Sequence, residues 1–111
     1  MSKITDLTFT GRDGKKYKFQ VYPKNTTFRS IPALYAFMAR RKTDGRYVVL
    51  YIGQTADLST RFNNHHKWAE ATRNGFEYIG VCTGVTLGSL DRDEKNLIAF
   101  YRPRCNEQLL P

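Results

Sequence analysis

Long hydrophobic runs are missing from this chain of 111 residues. No stretch approaches the ~18 apolar residues that cross a bilayer. Residues 1 to 28 alternate polar with apolar positions instead of carrying the unbroken apolar core of a signal peptide. The expectation is a soluble, cytoplasmic protein with no membrane partner. Cysteine is scarce: Cys82 and Cys105 stand without a second Cys or His at ligand spacing, which excludes a disulfide framework and a zinc finger or ribbon. Repeats, low-complexity tracts and linkers are also lacking, so residues 1–111 read as a single domain.

Acidic residues are few, ten against eighteen Lys and Arg, for a net charge of +8. The imbalance is local. Residues 1 to 50 hold eleven cationic side chains and three Asp, whereas residues 51 to 111 hold seven of each sign. A basic first half suits phosphate backbones, and nucleic acid is the expected partner, DNA before RNA because no RNA-recognition motif is visible. With 41% hydrophobic and 14% aromatic residues, one core can form.

Residues 3 to 22 read as a hairpin in which Leu7, Phe9, Tyr17, Phe19 and Val21 alternate with polar residues across a Gly11-Arg12-Asp13-Gly14 turn. A polar connector leads to a second hairpin, residues 32–39 and 46–53, closed at Asp44-Gly45. Its tip carries Arg40, Arg41, Lys42 and Arg46, expected to contact phosphates outside any reactive site. From Asp57 to about Thr72 the apolar period becomes helical, with Asp57 as cap; a third strand over 76–82 and a second helix capped by Ser89 or Asp91 and stopped by Pro103 complete the chain.

Two ionisable residues sit where apolar ones belong, and a third stands on the shoulder of one stripe. Glu94 lies within the apolar stripe of Leu90, Leu97, Ile98 and Tyr101, where an unpaired carboxylate costs several kcal/mol or so. With Asp91 as N-cap it falls at the third helical position, so a capping box accounts for it as well as a ligand role does. His65 occupies the apolar stripe of the first helix with Arg61 one turn before it, and two helices turning such groups toward a sheet suggest a shared polar pocket. Tyr35 and Tyr51 stand on the two arms of the second hairpin; packing is the default for each, but a buried phenol also needs a hydrogen-bond partner. Asp91 and Asp93 lie about 60° and 100° around the helix from Glu94, so a two-metal carboxylate centre is disfavoured.

Ala33-Leu34-Tyr35, Tyr51-Ile52-Gly53, Thr55, Leu58, Arg61, His65, Glu94, Leu97-Ile98, Tyr101, Pro103 and Asn106, in that order, resemble the GIY-YIG nuclease superfamily. The likeness runs over 32–106, about two thirds of the chain, and leaves 1–31 as an N-terminal hairpin extension and connector. Ala33 and Leu34 depart from the name-giving Gly and Ile; Tyr35 is kept. The resemblance implies an α+β fold, a three-stranded antiparallel sheet flanked by helices with the extra N-terminal β-hairpin added. It also implies an endonuclease that hydrolyses phosphodiester bonds with one divalent ion, Mg²⁺ or Mn²⁺.

On that resemblance Glu94 binds the metal, Arg61 grips the scissile phosphate, and Tyr51 or Tyr35 takes the proton of the attacking water. His65 hydrogen-bonds a tyrosine or the phosphate, Asn106 positions Glu94 or a metal-held water, and Gly53 permits close backbone approach. Two other functions compete: a non-catalytic nucleic-acid-binding module of the same fold, and a ribonuclease using the same site. The chain has no room for a separate target-recognition domain, so specificity falls to the hairpins, a homodimer or a protein partner, or is low.

Overall fold

The computed structural model describes residues 2–106. In chain order the elements are β1 (Thr5–Thr10), β2 (Lys16–Pro23), β3 (Ala33–Arg40), β4 (Tyr47–Thr55), α1 (Trp68–Arg73), β5 (Tyr78–Cys82) and, after a 3₁₀ turn at Leu87–Ser89, α2 (Leu90–Tyr101). The strands form one five-stranded antiparallel sheet ordered β1-β2-β5-β3-β4. This corrects the expected three-stranded sheet flanked by helices with a hairpin added to it. The physical reason is the free edge of β5: Gln20 to Pro23 pair with Val81 to Tyr78, so the N-terminal hairpin continues the ladder and covers an edge that would otherwise be open.

Strand alternation divides the core between the two faces of the sheet. Phe9, Phe19, Leu34, Met38 and Ile52 meet Leu90 and Leu97 of α2 on one face, while Tyr35, Phe37, Leu50, Phe76 and Ile79 meet Leu58 and Ala71 on the other. A β-bulge interrupts that alternation at one place. Phe37 pairs with Tyr51 but Met38 pairs with Val49, so Leu50 has no opposite residue. Leu50 and Tyr51 therefore both point to the second face, and the bulge aims Tyr51 at Tyr35 instead of at α2.

The first helix is also corrected. Only Trp68–Arg73 is α-helical; residues 58–64 and 66–67 form turns. Asp57 Oδ1 accepts from the Ser59 N–H at 3.0 Å and the Ser59 hydroxyl at 2.6 Å, which caps a turn and not a helix. Ser59, Thr60, Asn63 and Asn64 are poor helix formers because their side chains compete for nearby backbone groups, and Asn64 takes the left-handed conformation at φ 57°. The Leu58 N–H donates to the Ile31 carbonyl at 2.9 Å, pinning this segment to the connector before β3.

α2 starts two residues earlier than an Asp91 cap requires, with Ser89, the other cap expected, preceding its first residue. It ends at Arg102, left-handed at φ 46°, followed by Pro103. Its buried stripe is Leu90, Asp93 and Leu97. The N-terminal hairpin is latched to it: Tyr17 Oη donates to Asp93 Oδ1 at 2.9 Å, Asn96 Nδ2 donates to Tyr17 Oη at 2.9 Å, and the Thr10 N–H donates to Tyr101 Oη at 3.0 Å.

Candidate active site around Tyr35, Tyr51 and Glu94

Tyr35 and Gly53 are direct cross-strand partners, and the Tyr35 ring lies flat across Gly53 so closely that a Cβ there would overlap the phenol. The glycine is a steric requirement of the tyrosine. Tyr35 is fully buried and Tyr51 nearly so, with ring centroids 6.1 Å apart. Burial raises both phenols above their ordinary range. The nearness of the two hydroxyls separates the pair, working to raise Tyr35 and to lower Tyr51, and the Arg61 charge lowers both. Tyr51 is the one whose surroundings oppose its burial on both counts.

His65 closes the far side. The Lys67 N–H donates to Nδ1 at 3.0 Å, so Nδ1 carries no proton and Nε2 is the N–H of the neutral ring. That Nε2 stands 2.7 Å from Tyr35 Oη and donates to it. Burial first, then the charges of Arg61 and His66, depress the His65 pKa to about 4. The ring is neutral at physiological pH. Arg61 comes from the turn segment before it, with its guanidinium carbon 5.5 Å from the Tyr35 ring centroid.

Glu94 approaches from α2 and is half-buried. Its Oε1 accepts from Gln54 Nε2 at 3.2 Å, and the same amide nitrogen lies 3.4 Å from Asp91 Oδ1. The capping-box account fails, since Glu94 lies beyond the first turn of a helix that starts at Leu90. Desolvation raises its pKa, the Gln54 bond lowers it, and the Asp91 charge raises it again. A half-buried carboxylate pushed upward beside a second carboxylate is relieved by a cation. Among the described residues no three His, Cys, Asp or Glu side chains converge as a cage. The donor set fits a hard ion such as Mg²⁺, which often takes one or two carboxylates and keeps water and phosphate oxygens in its other positions.

Tyr35, Tyr51, Arg61, His65 and Glu94 thus share one neighbourhood, in which the Arg61 charge acts on the other four. Asn106 takes a different part from either expected for it. Its Oδ1 accepts from the Ile52 N–H and its Nδ2 donates to the Ile52 carbonyl, both at 2.9 Å, so its side-chain hydrogen bonds hold the outer edge of β4 and not the Glu94 carboxylate. Arg40, Arg41, Lys42 and Arg46 lie exposed at the opposite end of the hairpin. Arg41 makes a two-point pair with Asp44 at 3.2 and 2.7 Å, and Arg40 Nε donates to the Gly45 carbonyl at 2.9 Å.

Two contributors were not foreseen. Gln54, which ties Glu94 to Asp91, directly follows Gly53, and its one sequence signal is a polar residue in an apolar strand. His66 stacks on His65 with centroids 4.9 Å apart and meets Tyr51 edge-on at 6.1 Å; the His65-His66 doublet was the signal. Comparison with protein-family models, with curated proteins and with solved structures finds no match to the chain.

Proposed function

We propose that this chain is a metal-assisted endonuclease of the GIY-YIG type, hydrolysing phosphodiester bonds with DNA as its substrate. The observation that carries the reading is the hydrogen-bonded run from the Lys67 N–H through His65 to Tyr35, with the Tyr51 ring, Arg61 and Glu94 gathered beside it. A packing cluster has no need of that order, since it leaves one phenol favoured for ionisation over its neighbour.

In this reading Tyr51 takes the proton from the attacking water. Tyr35 donates to the Tyr51 oxygen and so stabilises its phenolate, and neutral His65, fixed as the Nε2–H form, holds Tyr35 in that orientation. Arg61 binds the non-bridging oxygens of the scissile phosphate, a task for a planar cation that keeps its proton. Glu94, with Asp91 beside it, would hold the divalent ion, Mg²⁺ or Mn²⁺. When bound there, the ion supplies Lewis-acid relief of the charge that develops on the reacting phosphate. Gln54 aims the Glu94 carboxylate.

The test is incubation with supercoiled plasmid and with structured RNA, in Mg²⁺, in Mn²⁺ and in chelator, beside Glu94→Gln and Arg61→Gln. Metal-dependent nicking of the plasmid by wild type, lost by about 10²-fold or more in both variants, supports the reading. Equal nicking by all three proteins, or tight binding of DNA without turnover, overturns it in favour of a binding module. Cleavage of RNA with the plasmid left intact replaces DNA as the substrate.

A further inference from the structure

A second feature lies along the same strand. Beside β4 runs a groove of about 620 Å³ whose rim gathers Arg40, Arg41 and Lys42 from the hairpin with Arg102 and Arg104 from the end of α2. Among the described residues Glu77 is the one acid in its lining. The two sets of cations are far apart in sequence and meet for a structural reason. The left-handed turn at Arg102 swings the chain back, and the Cys105 N–H donates to the Leu50 carbonyl at 2.9 Å, laying the segment after α2 along the outer edge of β4.

Resting on the nuclease reading above, we infer that this groove carries the phosphate backbone of duplex DNA on one side of the scissile bond. Charge and reach both favour that occupant. Five cations against one acid among the described residues, over a floor of β4 aliphatic side chains, form a trough of net positive charge. The Arg41–Asp44 pair is open to solvent, so a phosphate can compete with the carboxylate for the guanidinium. Leu50, at the near end of the groove, adjoins Tyr51, while Arg40 pairs with Tyr47 at the far end. Four residues of strand span about 13 Å at ~3.3 Å each, or about four base steps at 3.4 Å. The groove therefore follows the substrate away from the site over that distance. Phosphate contacts of this kind fix register without reading sequence.

The experiment measures binding to labelled duplexes in chelator, so it does not depend on turnover. Arg102→Gln/Arg104→Gln is compared with Lys16→Gln/Lys18→Gln, which removes the same charge from exposed positions of β2. The groove pair is expected to weaken binding at least tenfold and to flatten the slope of log affinity against log salt by about 1.8, the loss of two phosphate contacts. The β2 pair is expected to leave that slope within about 0.5 of wild type. Shortening the duplex below about four base pairs on one side of a fixed nick is expected to cost wild type the same affinity and the groove variant none. Equal flattening by both pairs, or none by the groove pair while wild type binds, overturns the groove and leaves the nuclease reading standing. Wild type failing to bind any duplex overturns both.

Discussion

The side-chain amide of Asn106 closes both its hydrogen bonds on the main chain of Ile52, accepting from the N–H and donating to the carbonyl at 2.9 Å each. One side chain thereby serves the outer edge of β4 as a neighbouring strand would. It does so between Tyr51 and Gly53, the two β4 positions that the site uses. Asn106→Ala removes both bonds and is expected to cost about 1–3 kcal/mol in urea unfolding, with a fall in kcat as Tyr51 loosens. Asn106→Asp keeps the acceptor but sets a carboxylate oxygen against the Ile52 carbonyl, and is expected to cost more than Ala at neutral pH. Unchanged unfolding in the Ala variant would remove Asn106 from this role.

Gly53→Ala tests the approach of Tyr35 to the backbone. The added methyl overlaps the phenol, so Tyr35 must turn away and give up its 2.7 Å bond to His65. Overpacking of this kind costs about 1–3 kcal/mol. The pair Gly53→Ala with Tyr35→Ala is expected to recover part of that loss, because the three atoms nearest the added methyl all belong to the Tyr35 phenol. Strict additivity of the two substitutions would show that they do not meet.

Much of this arrangement is legible in the sequence, and its failures have physical causes. Alternation marks the strands and Pro103 marks the end of α2, because both signals are local. The fate of the N-terminal hairpin is not local: whether it joins the sheet depends on β5 being left with a free edge. The segment from Asp57 has helical apolar spacing yet forms turns, since Leu58 and Phe62 are buried equally well by a turn chain whose polar residues disfavour helix. The carboxylate of α2 that is fully buried is Asp93, 1% exposed, and not Glu94. A stripe read at 100° per residue has an uncertain edge, and the Tyr17 hydroxyl that accounts for Asp93 comes from 76 residues away. The bulge at Leu50, which decides where Tyr51 points, leaves no trace in the pattern.

The latch between Tyr17 and Asp93 predicts an acid-sensitive contribution to stability. Burial works to raise the Asp93 pKa, and the bonds from Tyr17 and Lys15, with the Ser89 hydroxyl nearby, outweigh it, leaving it lowered. For a carboxyl with a depressed folded pKa, the stabilisation is present above the unfolded value of about 3.9 and is lost as pH falls through the folded value. Asp93→Ala leaves the Tyr17 hydroxyl without its acceptor, and is expected to cost about 1–3 kcal/mol at pH 7 but less at pH 3. Urea unfolding of both proteins at the two pH values measures this. A difference that grows on acidification contradicts the assignment.

His65 gives the opposite test, of a group held neutral. Its pKa is depressed from 6.5 to about 4, so the unfolded chain takes up a proton first as pH falls. Stability from this group is full above pH 6.5 and declines toward pH 4, by up to about 3 kcal/mol. Ring NMR at pH 6 is expected to show His65 uncharged with its proton on Nε2. An imidazolium signal from His65 at that pH would sink both the hydrogen-bond direction and its role in holding Tyr35.

The choice between the tyrosines as proton acceptor makes the last prediction, read from the pH dependence of plasmid nicking. Burial holds the Tyr51 pKa above the ordinary phenol value of 10, so at neutrality only a small fraction is phenolate. If Tyr51 is the base, log rate is expected to climb with a slope near 1 from about pH 6.5 to 9 without a plateau. Tyr51→Phe is expected to lose about 10²–10⁴ in kcat and the slope with it. Tyr35→Phe removes the donor to Tyr51 and the acceptor for His65, so it lowers the rate while the slope persists. The reverse pattern, slope kept in Tyr51→Phe and lost in Tyr35→Phe, moves the proton acceptor to Tyr35. That outcome would require the more deeply buried phenol to ionise first, with His65 Nε2–H as the donor that stabilises it.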